Sequence, residues 1–237
     1  APAVQKRDTA ARTRSYQLFP NKTVVISVKL GRENIDTAIN AALVVLCRGG
    51  IIAYPTETFY GLGVRFDLHE SLRRLYALKR RPRGKAMPLL IGQKESLPLI
   101  VSETWLRDMP GSASLLMDRF WPGPLTLLLP ARVGLSDYLT ADTGKIAVRI
   151  PGESFALSLA KKAGFPITAT SANLSGMPPS EDIETVIKYF SRGPDFLVDG
   201  GRAPGGSPST ILDASGERIT MVREGAIRLS ALEAVWK

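Results

Sequence analysis

Residues 34–63 read NIDTAINAALVVLCRGGIIAYPTETFYGLG. Ile35, Ile39, Ala42, Leu43 and Leu46 recur on one face of a helix over 34–48, and Gly49 stands where a helix closes. Cys47 ends that apolar stripe and reads as core. Ile51 to Tyr54 then reads as a short buried strand ended by Pro55. The polar run behind it offers two hydroxyls, a carboxylate and two glycines, which read as a ligand-facing turn. Helix, buried strand and polar strand-end loop in that order point to an α/β protein whose ligand sits at strand ends.

The same alternation runs through the chain from residue 23. Strands are expected at 23–30, 87–91, 125–129, 145–150, 167–170, 196–198, 209–213 and 218–223, the last two forming a hairpin around Ser215-Gly216. Helices are expected at 70–79, 112–120, 154–163 and 181–190, with Gly164 closing the third and Pro82 stopping the first. Some late strands are joined by short turns, so the sheet should be mixed, twisted and flanked by helices. No repeat or composition break marks a second domain, so 23–237 reads as one domain behind a basic, flexible tail of 1–22.

Composition narrows the chemistry. The chain has 237 residues, one cysteine and one histidine. A lone cysteine excludes an internal disulfide and a cysteine-cluster metal site. A lone histidine, His69, excludes a His-pair zinc site, and its place at a turn reads as surface or capping. The formal charge of +9 is uneven: residues 1–22 carry +4, residues 71–89 carry +7, and the rest sum to −2. One basic focus on a near-neutral body suggests a local anion site rather than a nucleic-acid coat. Aromatic residues are only 7%, and none is interleaved among the cations of 79–85, so the stacking platform of a single-strand binder is missing there. No apolar run is long enough to span a membrane.

Two tempting motifs fail. Gly84-Lys85 lacks the rest of a phosphate-binding P-loop, with Lys79 and Ala86 at positions that need Gly and Ser or Thr. Ser158 and Lys161 have nucleophile–base spacing but lie on an amphipathic helix without companion motifs. The stronger signals are strand-end loops: 55–63, the cationic 79–85, Ser171 and Asn173 within 170–176, and the glycine-rich 199–210. Arg149 and Arg223 end two further strands. Together they read as a polyanion pocket built from side chains.

Eight stretches in order carry a resemblance: Gly50–Gly63, Lys79–Pro82, Trp121–Thr126, Ala147–Pro151, Ser171–Gly176, Asp199–Gly201, Pro208–Ile211 and Val222–Gly225. The chain resembles the YrdC/TsaC family, the threonylcarbamoyl-adenylate synthases that begin threonylcarbamoyl modification of adenosine 37 in tRNA. The resemblance implies a YrdC-like fold with a large positive cleft, in the short form of the family. It implies that ATP, L-threonine and bicarbonate or CO2 give threonylcarbamoyl-AMP and pyrophosphate, with Mg2+ held mainly through the substrate phosphates. Lys79, Arg81, Ser171 and Asn173 match the signature Lys-x-Arg … Ser-x-Asn and would be the catalytic set. Arg81, Lys85, Ser171, Asn173 and Arg223 would bind ATP, and Thr58, Arg149 and Ser209 would bind threonine; no protein metal site is implied. Lys85 stands where some relatives have Asn, and Leu90 where some have a threonine-contacting His. The resemblance further implies a cytoplasmic enzyme that hands its product to a tRNA threonylcarbamoyl transferase complex, with at most weak tRNA binding of its own. Read as a transit remnant, the tail would instead point to an organelle.

The residue types suit that chemistry. A carbamate is already an anionic nucleophile, so fixed cations matter more than a histidine base. Loops 80–86 and 200–206 would serve as lids over labile intermediates. Two other readings compete: an RNA-binding module with a basic cleft, and a carbamoyl-adenylate-forming domain of a carbamoyltransferase system.

Overall fold

A computed structural model describes residues 15–18, 24–31, 33–82, 84–191 and 193–236. The mixed sheet is realised as two six-stranded sheets. The first orders β1 (Ser15–Leu18), β2 (Val24–Lys29), β10 (Phe196–Asp199), β3 (Ile52–Pro55), β4 (Tyr60–Gly63) and β9 (Thr170–Ser171). The second orders β12 (Thr220–Arg223), β11 (Thr210–Asp213), β6 (Leu125–Pro130), β7 (Lys145–Arg149), β5 (Leu89–Leu90) and β8 (Ile167–Thr168). Both are mixed: β10 runs parallel to β2 and β3, whereas β3–β4 and β6–β7 are antiparallel.

Helix α1 (Ile35–Cys47) buries Ala38, Ile39, Ala42 and Leu46. It packs against α6 (Phe155–Ala163). Gly49 lies at φ 79, the left-handed conformation a helix end favours and a side chain resists. Cys47 is exposed, not core, because it sits about 100° round the helix from Leu46. Ile35, expected on the buried stripe, shares that face but is 39% exposed, because it is the first residue of the helix. Helix α6 is capped as its sequence promises: the Ser154 hydroxyl accepts from the Leu157 amide, and Gly164 is left-handed. Ser158 and Lys161 lie on its exposed side.

Further elements are α2 (His69–Leu78), α3 (Glu103–Arg107), α4 (Gly111–Phe120), α5 (Asp137–Thr140), α7 (Ile183–Tyr189) and α8 (Leu229–Trp236). The main core is filled by Leu72 and Leu75 of α2, Leu116 of α4, and Leu125, Leu127 and Leu129 on the inward face of β6. The hairpin between β11 and β12 forms as expected.

Three further expectations change. The expected tail contains β1, which pairs antiparallel with β2; residues 1–14 and 19–23 lie outside the described residues. The expected strand 167–170 divides: Ile167 and Thr168 join β5, then Thr170 and Ser171 cross to β4 in the other sheet. Strand β4 itself emerges from the stretch read as a turn, so 52–63 is a hairpin with its turn at 56–59. The Thr56 hydroxyl closes that turn by donating to Phe59 O at 2.7 Å and accepting from the Thr58 amide at 3.2 Å.

Candidate functional site

The helix that carries the cationic loop ends before Pro82. Lys79 caps α2, and Arg80 takes the left-handed conformation at φ 49. The Arg81 amide bonds Tyr76 O and the Arg80 amide bonds Ala77 O, the paired closure usually made around glycine. A non-glycine there is strained by about 1 kcal/mol. The turn sends Lys79 inward and leaves Arg81 at the surface of the loop.

Lys79 is 2% exposed. Its ammonium donates to Ser171 O, to Asn173 O at 2.7 Å and to Asn173 Oδ1 at 3.3 Å. Those three acceptors use all three ammonium protons. Burial, reinforced by the Arg81 charge, pushes its pKa down to about 7. Lys79 O in turn accepts from the amide and hydroxyl of Ser175. The Ser171 hydroxyl donates to Asn173 Oδ1 at 2.6 Å and remains exposed. Lys79 therefore builds the 171–175 loop, and Ser171 and Asn173 present it. Arg81 donates to Lys85 O at 3.0 Å and Ala86 O at 2.6 Å, which orders the loop beyond Pro82. The Lys85 side chain is exposed.

A second cluster forms where the 56–59 turn meets the ends of β7 and β12. Arg149, 7% exposed, donates to Glu57 Oε1 at 2.6 Å. Arg223 donates to Ser209 O at 2.7 Å and to its hydroxyl at 3.4 Å. The Thr126 hydroxyl donates to the same Ser209 Oγ at 2.9 Å. Desolvation, then repulsion from Arg149, pushes Arg223 below its ordinary value, so the two guanidiniums share one field. Thr58 is buried, with its hydroxyl 3.2 Å from that of Thr56. Gly225 must be glycine here: a Cβ would lie 2.1 Å from Pro208 O, against the backbone that presents Ser209. Leu90 lies beside Arg149 in the ladder and is buried, so it offers this cluster no polar atom.

The first cluster thus gathers Lys79, Arg81, Ser171 and Asn173, and the second Thr58, Arg149, Ser209 and Arg223. Strand β4 connects them: its pairing with β9 fixes Ser171, and its first residue follows the 56–59 turn. Sequence reading missed Glu57 as a site residue, and Tyr60, Thr126 and Glu181 as supports. The carboxylate within 55–63 was the available signal for Glu57. Two cavities, of about 250 and 440 Å3, lie elsewhere; both are lined by His69 and Ser136, and neither takes in an expected site residue. Among the described residues no cluster of three or more His, Cys, Asp or Glu side chains could hold a metal. Among them, too, no helix is long and apolar enough to cross a membrane.

The glycine-rich loop is docked rather than free. The Tyr60 hydroxyl donates to Gly201 O at 2.7 Å and accepts from the Gly200 amide at 2.9 Å. Gly205 donates to Thr58 O, and Ala203 to Glu181 O, each at 2.7 Å. Burial pushes the Tyr60 phenol up to about 12, so it stays a donor at neutral pH. Tyr60→Phe removes both hydroxyl bonds and is expected to cost about 1–3 kcal/mol in urea denaturation. Limited proteolysis should then cut first within 200–206; an unchanged cleavage pattern would show that the other two bonds suffice.

Comparison with known proteins adds an independent finding. Residues 44–225 match the Sua5/YciO/YrdC family, which carries the description "Telomere recombination". A threonylcarbamoyl-AMP synthase from Pyrococcus abyssi is 33% identical over 214 residues, covering 90% of this chain and 61% of the relative. One from Escherichia coli is 37% identical over 178 residues, covering 75% of this chain and 91% of the relative. The crystal structure of Pyrococcus abyssi Sua5 complexed with L-threonine superposes with a TM-score of 0.80 at 32% identity, covering 90% of this chain and 61% of that one. The chain thus spans about three-fifths of the length of both Pyrococcus proteins.

Proposed function

The chain belongs to the Sua5/YciO/YrdC family, and from that membership and its two side-chain clusters we propose that it is an L-threonylcarbamoyladenylate synthase. The observation that carries this reading is the convergence of Arg149, Arg223, Thr58 and Ser209 at one set of strand ends. Guanidiniums beside hydroxyls suit a ligand that is both anionic and hydroxylated. L-threonine and a nucleotide phosphate supply both characters. The threonine complex of the Pyrococcus relative supports the same assignment.

The amine of threonine adds to CO2, supplied from bicarbonate, and gives a carbamate. A carbamate oxygen attacks the α-phosphorus of ATP, the bond to the β-phosphate bridge breaks, and pyrophosphate leaves. Threonine would lie against Thr58, Arg149 and Ser209. The phosphates would lie against Arg81, Lys85, Ser171, Asn173 and Arg223, with Mg2+ entering as MgATP on the substrate's own oxygens. Lys79 would act by holding Ser171 and Asn173 in place. The catalytic unit is assigned to 23–237, with 1–22 as a basic extension whose strand β1 borders the sheet. The proposed setting is the cytoplasm, where the product would pass to a tRNA threonylcarbamoyl transferase complex.

The test is pyrophosphate release from ATP with L-threonine and bicarbonate. Release should require threonine, and Arg81→Ala should lower it about tenfold, because the loop loses two carbonyl anchors and the site loses a cation. Release indifferent to both threonine and Arg81 would sink the proposal.

A further inference from the structure

Glu57 carries a chemical anomaly. One carboxylate oxygen, Oε1, meets Arg149. The other, Oε2, is buried and has no hydrogen-bond partner among the described residues. Two other buried polar atoms share that condition, the Trp105 indole nitrogen and the Ser136 hydroxyl, but both are neutral. A buried acceptor left unmade costs about 1–3 kcal/mol, and more when charged. A group kept at that cost within a ligand-facing turn calls for a ligand that donates.

The surrounding charge says what kind of donor. Arg149 and Arg223 offer positive charge beside Ser209, and Glu57 offers negative charge beside Thr58. An anion alone would be repelled by Glu57, and a cation alone by the two arginines. A zwitterion with adjacent carboxylate and ammonium satisfies both ends. Free α-amino acids have that pattern, and phosphates do not.

We infer that Glu57 is a further catalytic residue of this site: its free oxygen receives the α-ammonium of the amino-acid substrate and takes the proton that nitrogen must lose before it attacks CO2. The inference rests on the synthase reading. In the step, an ammonium N–H bond breaks and its proton passes to Glu57 Oε2. The freed lone pair forms the N–C bond to CO2, and one C=O electron pair becomes a carboxylate charge. The nitrogen then loses a second proton to water, leaving the carbamate, and Glu57 returns its own proton to solvent. The charged and titratable groups facing Glu57 are Arg149, Arg223 beyond it, and the Tyr54 phenol. Burial holds Tyr54 well above its ordinary value, and its hydroxyl donates to Thr168 O. It cannot serve as the base at neutral pH.

Glu57→Gln and Glu57→Asp test this, with ATP affinity and thermal melting as controls for folding. In pyrophosphate release, Glu57→Gln should lower kcat about 10²-fold. The wild-type-to-variant ratio should shrink as pH rises toward the titration of the amine itself, and Glu57→Asp should recover part of the rate. A rate near wild type, or a deficit constant with pH, would overturn the base role and leave Glu57 as a prop for Arg149. Calorimetry reads the site without turnover: wild type should bind L-threonine but not N-acetyl-threonine, and Glu57→Gln should weaken threonine binding about tenfold or more. Equal binding of the acetylated and free amino acids would overturn the ammonium contact. If wild type binds threonine in this pattern yet releases no pyrophosphate, the synthase reading has failed and the zwitterion site stands.

Discussion

Lys79→Met is expected to lower threonine-dependent pyrophosphate release about 10³-fold, on a scale of about 10²-fold for each reacting group displaced by about 1 Å. Methionine fills a similar volume but donates nothing. Asn173 O would lose its donor, while Ser171 O would keep only the Asn173 amide and Asn173 Oδ1 only the Ser171 hydroxyl. One unpaired carbonyl costs about 1–3 kcal/mol, and the loop also loses the cross-link that tied its two halves together, so it gains by moving. Hydrogen exchange should therefore quicken at 172–177 before it quickens in the core. A rate within about tenfold of wild type would show that the loop is held by its own bonds. The same lysine should leave a signature in pH. Its folded value of about 7 lies below the ordinary 10.5, so between those values the unfolded chain holds a proton the folded chain lacks. Stability from this group therefore rises with pH across that window and is flat below it. Urea denaturation of wild type and Lys79→Met at about pH 6 and about pH 9 should show the comparison shifting toward wild type at the higher pH. A gap unchanged with pH would mean that the three oxygen acceptors keep the ammonium charged.

Much of the fold was legible because its signals are local. The helix over 154–163 has a serine before it, an apolar stripe and a glycine after it, and each feature took its expected place. The run 167–171 shows where local reading stops. Its residues are strand-like throughout, but which sheet each half joins is set by partners far along the chain, Leu89 and Leu90 for one half, Gly61 and Leu62 for the other. The short turn of helix at Asp137–Thr140 has too few residues to show a period. At the site, residue types were legible and their orientation was not. A lysine in a cationic run reads as a phosphate ligand, and only Arg80 bending back at φ 49 turns Lys79 into the buried frame of its neighbours. Glu57 was visible as a carboxylate in a turn. Its importance lies in a partner 92 residues away, Arg149, and in a second oxygen that nothing around it satisfies.

Arg149→Met should be the most destabilising change in the site, by about 3–5 kcal/mol, because it strands a buried carboxylate rather than merely deleting a contact. The side chains of Arg149 and Glu57 are 9% and 15% exposed, so water cannot take over the lost partner. For a chain of this size that loss would lower the melting temperature by roughly 10 °C. The exposed pair Arg73–Glu70, 59% and 65% exposed, is the internal control: Arg73→Met should barely move the melt, since both ends stay hydrated. Adding Glu57→Gln to Arg149→Met removes the stranded charge. The double variant should recover about 1–3 kcal/mol of stability, a coupling that distant sites would not show. It should recover no activity, because the guanidinium beside Arg223 and the carboxylate that meets the ammonium are both gone. That split separates the two jobs of the pair. Stability asks only that the charges cancel, so a neutral pair can meet it. Amino-acid binding asks that they be present and oppositely placed, and only the native pair can. A double variant that regains turnover along with stability would break the link between this ion pair and the zwitterion it is inferred to receive.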